Sequence, residues 1–225
     1  MEQVEQVIEQ EVMSFSLLEM AAKGGWIMIV LGILSLIAIY IFGKKIWMIS
    51  KASKIDRYFM NDIQDCMNEG RVKSARALCG KFDSPVARMV ERGIDCRNKS
   101  SQEVQTAMEN VGNVEVARIE KGMSGLASIA GGAPMLGFLG TVTGMIRAFF
   151  NMANSGSNID IAQLSGGIYE AMVTTVGGLI VGIVAYFAYN FLTSRVSALT
   201  AKMDMATMDM MEILDNIPAG VEEKE

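Results

Sequence analysis

The sequence predicts an all-α integral membrane protein with three transmembrane helices, two of them extended far into the cytoplasm, preceded by an N-terminal amphipathic helix. Three observations carry this fold class. The chain of 225 residues is 51% hydrophobic, more apolar than a soluble domain of its size. Its Lys, Arg, Asp and Glu avoid three windows altogether, residues 24–43, 122–146 and 171–194. Each window reaches the roughly 20 apolar residues a helix needs to cross the hydrocarbon layer. Past the third window, apolar residues recur at alternating three- and four-residue spacing, the pattern of a helix-packing seam.

The elements follow in order. Residues 1–23 carry five Glu and one Lys, and Val4, Val7, Ile8, Val12, Phe15 and Leu18 fall on one stripe. That spacing predicts a short amphipathic helix on the outer, periplasmic membrane surface. The first span, 24–43, is flanked by Trp26 and Trp47, as interfacial aromatics are. Its acidic lead and the lack of an A-x-A-like site argue against a cleaved signal peptide. Residues 44–121 hold 15 of the 20 Lys and Arg, with Lys44, Lys45, Lys51 and Lys54 beside the membrane. The positive-inside rule therefore predicts a cytoplasmic 44–121 region and C-terminus, and an outside N-terminus.

The cytoplasmic region reads as short helices punctuated at Glu69-Gly70, Gly80 and Asp83-Ser84-Pro85. Ser100-Ser101 can cap the next helix, with Glu103 in its first turn. From Gln102 no breaker is read before Gly131-Gly132-Ala133-Pro134, inside the second span (122–150). A single helix over 102–150, about 73 Å long, is therefore expected. A periplasmic loop over 151–170 and the third span, 171–194, come next. Val196, Leu199, Met203, Ala206, Met210 and Ile213 form the seam of a cytoplasmic helix over 195–217. The acidic tail, 218–225, is expected to be disordered. Most of the 19 Met read as helix-packing residues.

Composition excludes several chemistries. With no His, the commonest metal ligand and the usual neutral-pH acid/base are missing, so no nucleophile–base pair can be assembled and an enzyme is not expected. Cys66, Cys79 and Cys96 form no C-x-x-C pair and read as small buried or half-buried thiols in the reducing compartment. A phosphate-binding G-x-x-x-x-G-K-[ST] loop is absent, so neither nucleotide nor metal is expected as a cofactor. The net charge of −5, with no basic-aromatic stripe, argues against nucleic acid as a partner.

Within the spans, small residues recur at four-residue spacing: Ala133, Gly137 and Thr141; Gly140 and Gly144; Gly178 and Gly182. They let helix backbones approach closely, either inside one subunit or, as the easier solution for three helices, between subunits. Thr141 lies six residues inside Arg147, and Thr175 five residues inside Glu170. If both charges mark the outer surface, the threonines sit about 7–9 Å below it, in one polar layer. The alternative is that each hydroxyl bonds a carbonyl of its own preceding turn. Intramembrane acids mark ion relays, and none lies inside a span, since Glu170 is only at the outer border. A conducting path would need a carboxylate from a partner.

At these residues the chain resembles the MotA/TolQ/ExbB proton-channel family, most of all its ExbB branch. The resemblance rests on Lys23-Gly24-Gly25-Trp26-Ile27-Met28 before a Leu/Ile span, on APMLGFLGTVTGMIRAF over 133–149, and on GIYEAMVTTVGGLIVG over 167–182 with Tyr189-Asn190. Val184 and Thr143 depart from it, where many relatives have proline and a bulky residue. The resemblance implies a homo-oligomer, a pentamer, in the Gram-negative inner membrane, around single-span partners of the ExbD/TolR kind. It implies a proton carried on a partner aspartate, driven by proton-motive force and coupled through a TonB-like protein to outer-membrane transport. By position it makes Thr141 and Thr175 ion-pathway residues, with Thr174 and Glu170 beside them. Pro134, Gly137, Gly140, Gly144, Gly178 and Gly182 become packing and assembly residues. A TolQ-like subunit of the envelope-maintenance system and a non-conducting membrane scaffold remain the alternatives.

Overall fold

A computed structural model describes residues 24–54, 58–154 and 161–216, the side chain of Gln163 excepted. The amphipathic helix expected over 1–23 and the tail over 218–225 lie outside the described residues. Among those described, all regular structure is α-helical: α1 (Gly25–Ala52), α2 (Phe59–Asn68), α3 (Val72–Lys81), α4 (Pro85–Asp95), α5 (Ser101–Glu120), α6 (Met123–Asn154) and α7 (Ile161–Asn216). Three of them, α1, α6 and α7, are long and apolar enough to cross a membrane. The protein is an all-α integral membrane protein.

Several boundaries differ from the sequence reading. The single helix expected over 102–150 is two, because Gly122 has a φ of +90°, a left-handed conformation that α-helix excludes. Lys121 before it leaves helical geometry at ψ 116°. The signal was one glycine beside a lysine, easily absorbed into a charge-free window. Gly80, expected as punctuation, lies inside α3, since an isolated glycine costs a helix only about 1 kcal/mol. The loop expected over 151–170 is helical at both ends, in α6 to Asn154 and in α7 from Ile161. α1 continues nine residues past its charge-free window, through Lys44, Lys45 and Lys51, to Ala52. α7 is 56 residues long, about 84 Å, far more than a bilayer requires.

The chain divides into two compact units, cut after Ile39, Ser124 and Phe187, so that α1 and α7 each contribute to both. In the first unit, α6 and α7 pack antiparallel, with Ala148 against Gly167, Gly144 against Ala171, and Gly137 against Gly178. Its outer faces carry exposed large side chains, among them Leu36, Met135, Phe138, Phe150, Met172 and Phe187. Such a surface suits lipid tails and neighbouring transmembrane helices, not water.

In the second unit, α2 to α5 pack with the ends of α1 and α7. The seam Val196, Leu199, Met203, Ala206, Met210 and Ile213 is buried throughout, against a core that includes Phe59, Met67, Val90, Ile94 and Met108. Ser84 caps α4 by accepting from the Ala87 N–H, with Pro85 at the first helical position. Ser100 and Glu103 form a capping box on α5. α1 and α7 run parallel here: Phe42 meets the Phe191 ring at 6.2 Å and Ser53 meets Lys202, both at the same offset of 149 residues.

Several charged groups in this unit are paired. Arg88 donates from Nε and Nη2 to the two oxygens of buried Glu115, at 2.9 and 2.8 Å. Arg88 also reaches Asp83 at 2.8 Å, and Lys51 reaches the other Asp83 oxygen at 2.9 Å. Burial alone would lower the Arg88 guanidinium, but its bonds to Glu115 and Asp83 hold it above its ordinary value. Buried Lys45 donates to the Ile119 carbonyl at 2.7 Å. It thereby satisfies a carbonyl left over where α5 ends. All three cysteines are buried.

Candidate functional site

The hydroxyl groups singled out from sequence meet between α6 and α7. Both helices are locally stripped of side chains, which allows it: a Cβ on Gly137 would lie 2.8 Å from the Thr174 carbonyl oxygen, and one on Gly178 2.6 Å from that of Ala133. No larger residue fits either position without moving backbone. Thr175 exploits this approach. Its Oγ1 donates to the Gly137 carbonyl at 3.1 Å and lies 3.5 Å from Thr141 Oγ1 on the facing helix. Thr141 in turn donates to the Phe138 carbonyl of its own preceding turn at 2.6 Å. The two sequence readings of these threonines therefore coexist: they form one layer, and Thr141 is also bonded locally. Both side chains are half-buried, so the layer opens onto the surface of the subunit.

Thr174, placed with them by the resemblance, behaves differently. It is 2% exposed, donates to Ala171 O at 2.7 Å, and occupies the space over Gly140. Adjacent helical residues point about 100° apart, so Thr174 faces α6 squarely while Thr175 stands at its edge. In this chain Thr174 packs inside the helix pair, against Gly140. Its hydroxyl also comes within 3.3 Å of Gly137 O. That carbonyl is thus shared by two threonines, and it anchors the layer.

The small residues also land in one place. Gly137, Gly140, Gly144, Gly178 and Gly182 all face the α6–α7 contact, and the Gly182 Cα sits against the Pro134 ring and the Ala130 carbonyl. Pro134 has no N–H to give that carbonyl, and a Cβ on Gly182 would stand 3.1 Å from it. The close approaches these glycines make here are within the chain, between α6 and α7. Sequence reasoning missed two members of the stripe, Ala148 and Gly167, which continue the four-residue spacing beyond Gly144 and Ala171. That spacing was the available signal.

At the charged end of the pair, Arg147 Nη1 lies 3.8 Å from Glu170 Oε1. The two charges taken as depth markers are an ion pair, so Thr141 and Thr175 are level for a structural reason. The Glu170 carboxylate also lies directly over Gly25, the first residue of α1, whose φ of +65° and missing Cβ leave room for it. A helix N-terminus attracts an anion, so Glu170 joins α1 to the α6–α7 pair. A cleft of about 10 Å³, close to the size of one water, is bounded there by Trp26, Thr143, Gly144 and Arg147. Among the described residues no group of three or more Cys, Asp or Glu is placed to hold a metal ion.

The arrangement offers hydroxyl dipoles at one depth and no titratable group beside them. Comparison with known proteins agrees with the family resemblance. The profile of the MotA/TolQ/ExbB proton channel family matches residues 81–205. A protein of Methanothermobacter thermautotrophicus named as an ExbB homolog in biopolymer transport is 29% identical over 191 residues, 84% of this chain and 67% of its own length. An ExbB-like biopolymer transport protein of Synechocystis is 32% identical over 180 residues, 79% of this chain and 71% of its own. The biopolymer transport protein ExbB of Neisseria gonorrhoeae is 43% identical over 93 residues, 41% of this chain and 42% of its own.

Proposed function

Because the chain belongs to the MotA/TolQ/ExbB proton channel family, we propose that it is the channel-forming stator subunit of an ExbB–ExbD-type motor. In this reading it sits in the inner membrane of a Gram-negative cell, N-terminus periplasmic and C-terminus cytoplasmic, as a homo-oligomer, a pentamer. The oligomer surrounds single-span ExbD/TolR-like helices and couples proton-motive force to a TonB-like protein. It performs no covalent chemistry and uses no nucleotide or metal.

The observation that carries the proposal is the Thr141–Thr175 layer, 3.5 Å between hydroxyl oxygens and half-exposed, in a helix pair without a carboxylate at that depth. Hydroxyls can stabilise and hand on a proton but do not hold one as a charge at neutral pH. The layer therefore fits a surface past which a partner's carboxyl group moves. The test is proton flux into liposomes containing the purified chain with and without a single-span partner bearing one intramembrane Asp. Flux should require both proteins and vanish with Asp→Asn in the partner. Equal flux from the chain alone would overturn the division of labour. Co-assembly with no flux under any applied gradient would favour a scaffold.

A further inference from the structure

The second unit contains a groove between α1 and α7 of about 320 Å³, within the range of small-ligand sites. Its floor is apolar, made by buried Ile49 and Leu192. Its rim is polar: Ser50 and Ser53 from α1, Arg195 and Lys202 from α7. Neither cation has a carboxylate partner among the described residues. Lys202 donates to Ser53 Oγ at 3.2 Å, and Arg195 lies over the Phe191 ring at 5.1 Å. This contrasts with Lys51 and Arg88 nearby in the same unit, both held by Asp83.

The polarity of the groove changes along its length. The Phe42–Phe191 ring pair precedes the groove on both helices; within it Arg195 is level with Ile46, Ala198 with Ile49, and Lys202 with Ser53. Because α1 and α7 are parallel and in register, each step toward higher residue numbers is a step toward the polar end on both helices at once. Phe42 lies inside the first charge-free window and Phe191 inside the third, while Arg195 is the first charge after the third. The gradient therefore runs from hydrocarbon to headgroup depth.

We propose that this groove holds the headgroup of an anionic phospholipid, its phosphate between Arg195 and Lys202 with the Ser50 hydroxyl donating, and its first acyl carbons against Ile46, Leu192 and the Phe42–Phe191 pair. A free phosphate would use the cations but leave the apolar floor uncovered. A zwitterionic lipid would cover the floor but bring its own cation to an already basic rim. The site does not depend on ion conduction by the hydroxyl layer.

Native mass spectrometry of the detergent-solubilised full-length protein, titrated with phosphatidylglycerol, phosphatidylcholine or inorganic phosphate, tests this. Phosphatidylglycerol should bind about tenfold or more tightly than phosphatidylcholine. Arg195→Gln with Lys202→Gln should weaken it by about 30-fold, as two headgroup-level cations predict. The charge-matched control Lys44→Gln with Lys54→Gln, outside the groove, should retain most of the preference, and circular dichroism melts should match across the three proteins. Unchanged binding in the groove variant would overturn the site. An equal loss in the control would reduce it to general surface attraction and overturn it as well. Full competition by inorganic phosphate at the lipid's own concentration would show a free-anion site, and the lipid assignment would fall.

Discussion

The hydroxyl oxygens of Thr175 and Thr141 lie 3.5 Å apart across the α6–α7 contact, with the Arg147–Glu170 ion pair a turn or more further out. That geometry makes the two threonines one polar layer.

Removing both hydroxyls at nearly constant volume should separate conduction from packing. Thr141→Val with Thr175→Val should leave partner co-purification intact while reducing partner-dependent proton flux. A bond between a hydroxyl and a charged group contributes about 1.5–3 kcal/mol, so a ten- to hundredfold loss is expected. The corresponding Ser variants should keep most of the flux. Thr143→Val should be near neutral, since Thr143 is exposed and bonds only to carbonyls of its own helix. Full flux in the double Val variant would remove the threonines from the pathway.

The glycines of the α6–α7 contact should be intolerant even of a methyl group. At Gly178 an added Cβ would stand 2.6 Å from the Ala133 carbonyl oxygen and 2.9 Å from the Gly137 Cα, both backbone. Gly178→Ala should cost about 1–3 kcal/mol as overpacking and lower the melting temperature of the subunit itself. Gly131→Ala, where nothing lies within 4 Å, should be neutral or slightly stabilising by helix propensity. Thermal unfolding in detergent reads both, and equal melting temperatures would contradict the packing assignment.

Asp83 should make stability depend on acid pH. Hydrogen bonds from Lys51 and then Arg88, with the charges of both, hold its carboxyl below its ordinary value. A depressed folded-state pKa adds stability that is complete above the unfolded value, about 3.9, and is lost as pH falls through the folded one. The melting-temperature gap between wild type and Asp83→Asn should therefore be constant from neutrality down to about pH 5, then close as the pH falls further. A gap that widens on acidification would mean the sign is wrong.

Cys79 should be the least reactive of ordinary thiols while the protein is folded. Burial, then the nearby Glu91 charge, push it up to about 12. Thiolate is the reactive form, so maleimide labelling at pH 8 should reach Cys79 only after denaturation. The same shift works against the fold in alkali. Above the ordinary thiol value, about 8.5, unfolding releases a proton the native state retains, so stability falls as pH rises toward 12. Cys79→Ala should lessen that slope. Rapid labelling of Cys79 in the native protein would refute its burial.

The division between what was legible in the sequence and what was not follows the range of the physics involved. Three spans, an all-helical chain and the buried seam from Val196 to Ile213 are properties of stretches of about 20 residues, where hydropathy and periodicity act locally. That Thr141 and Thr175 lie level with each other was legible too, because each position counts residues from a charge along one helix. The tertiary structure decided the rest. Gly122 breaks the α5–α6 run through one backbone angle that composition does not record. Thr174 and Thr175 are neighbours of one type, yet the contact with Gly140 buries the first and leaves the second at the edge. The glycine stripe closes within the chain because α6 and α7 are antiparallel partners, and a pattern of small residues has no means of naming its partner. The groove with Arg195 and Lys202 exists only because α1 meets α7 in register, 149 residues along the chain, a relationship that no local pattern contains.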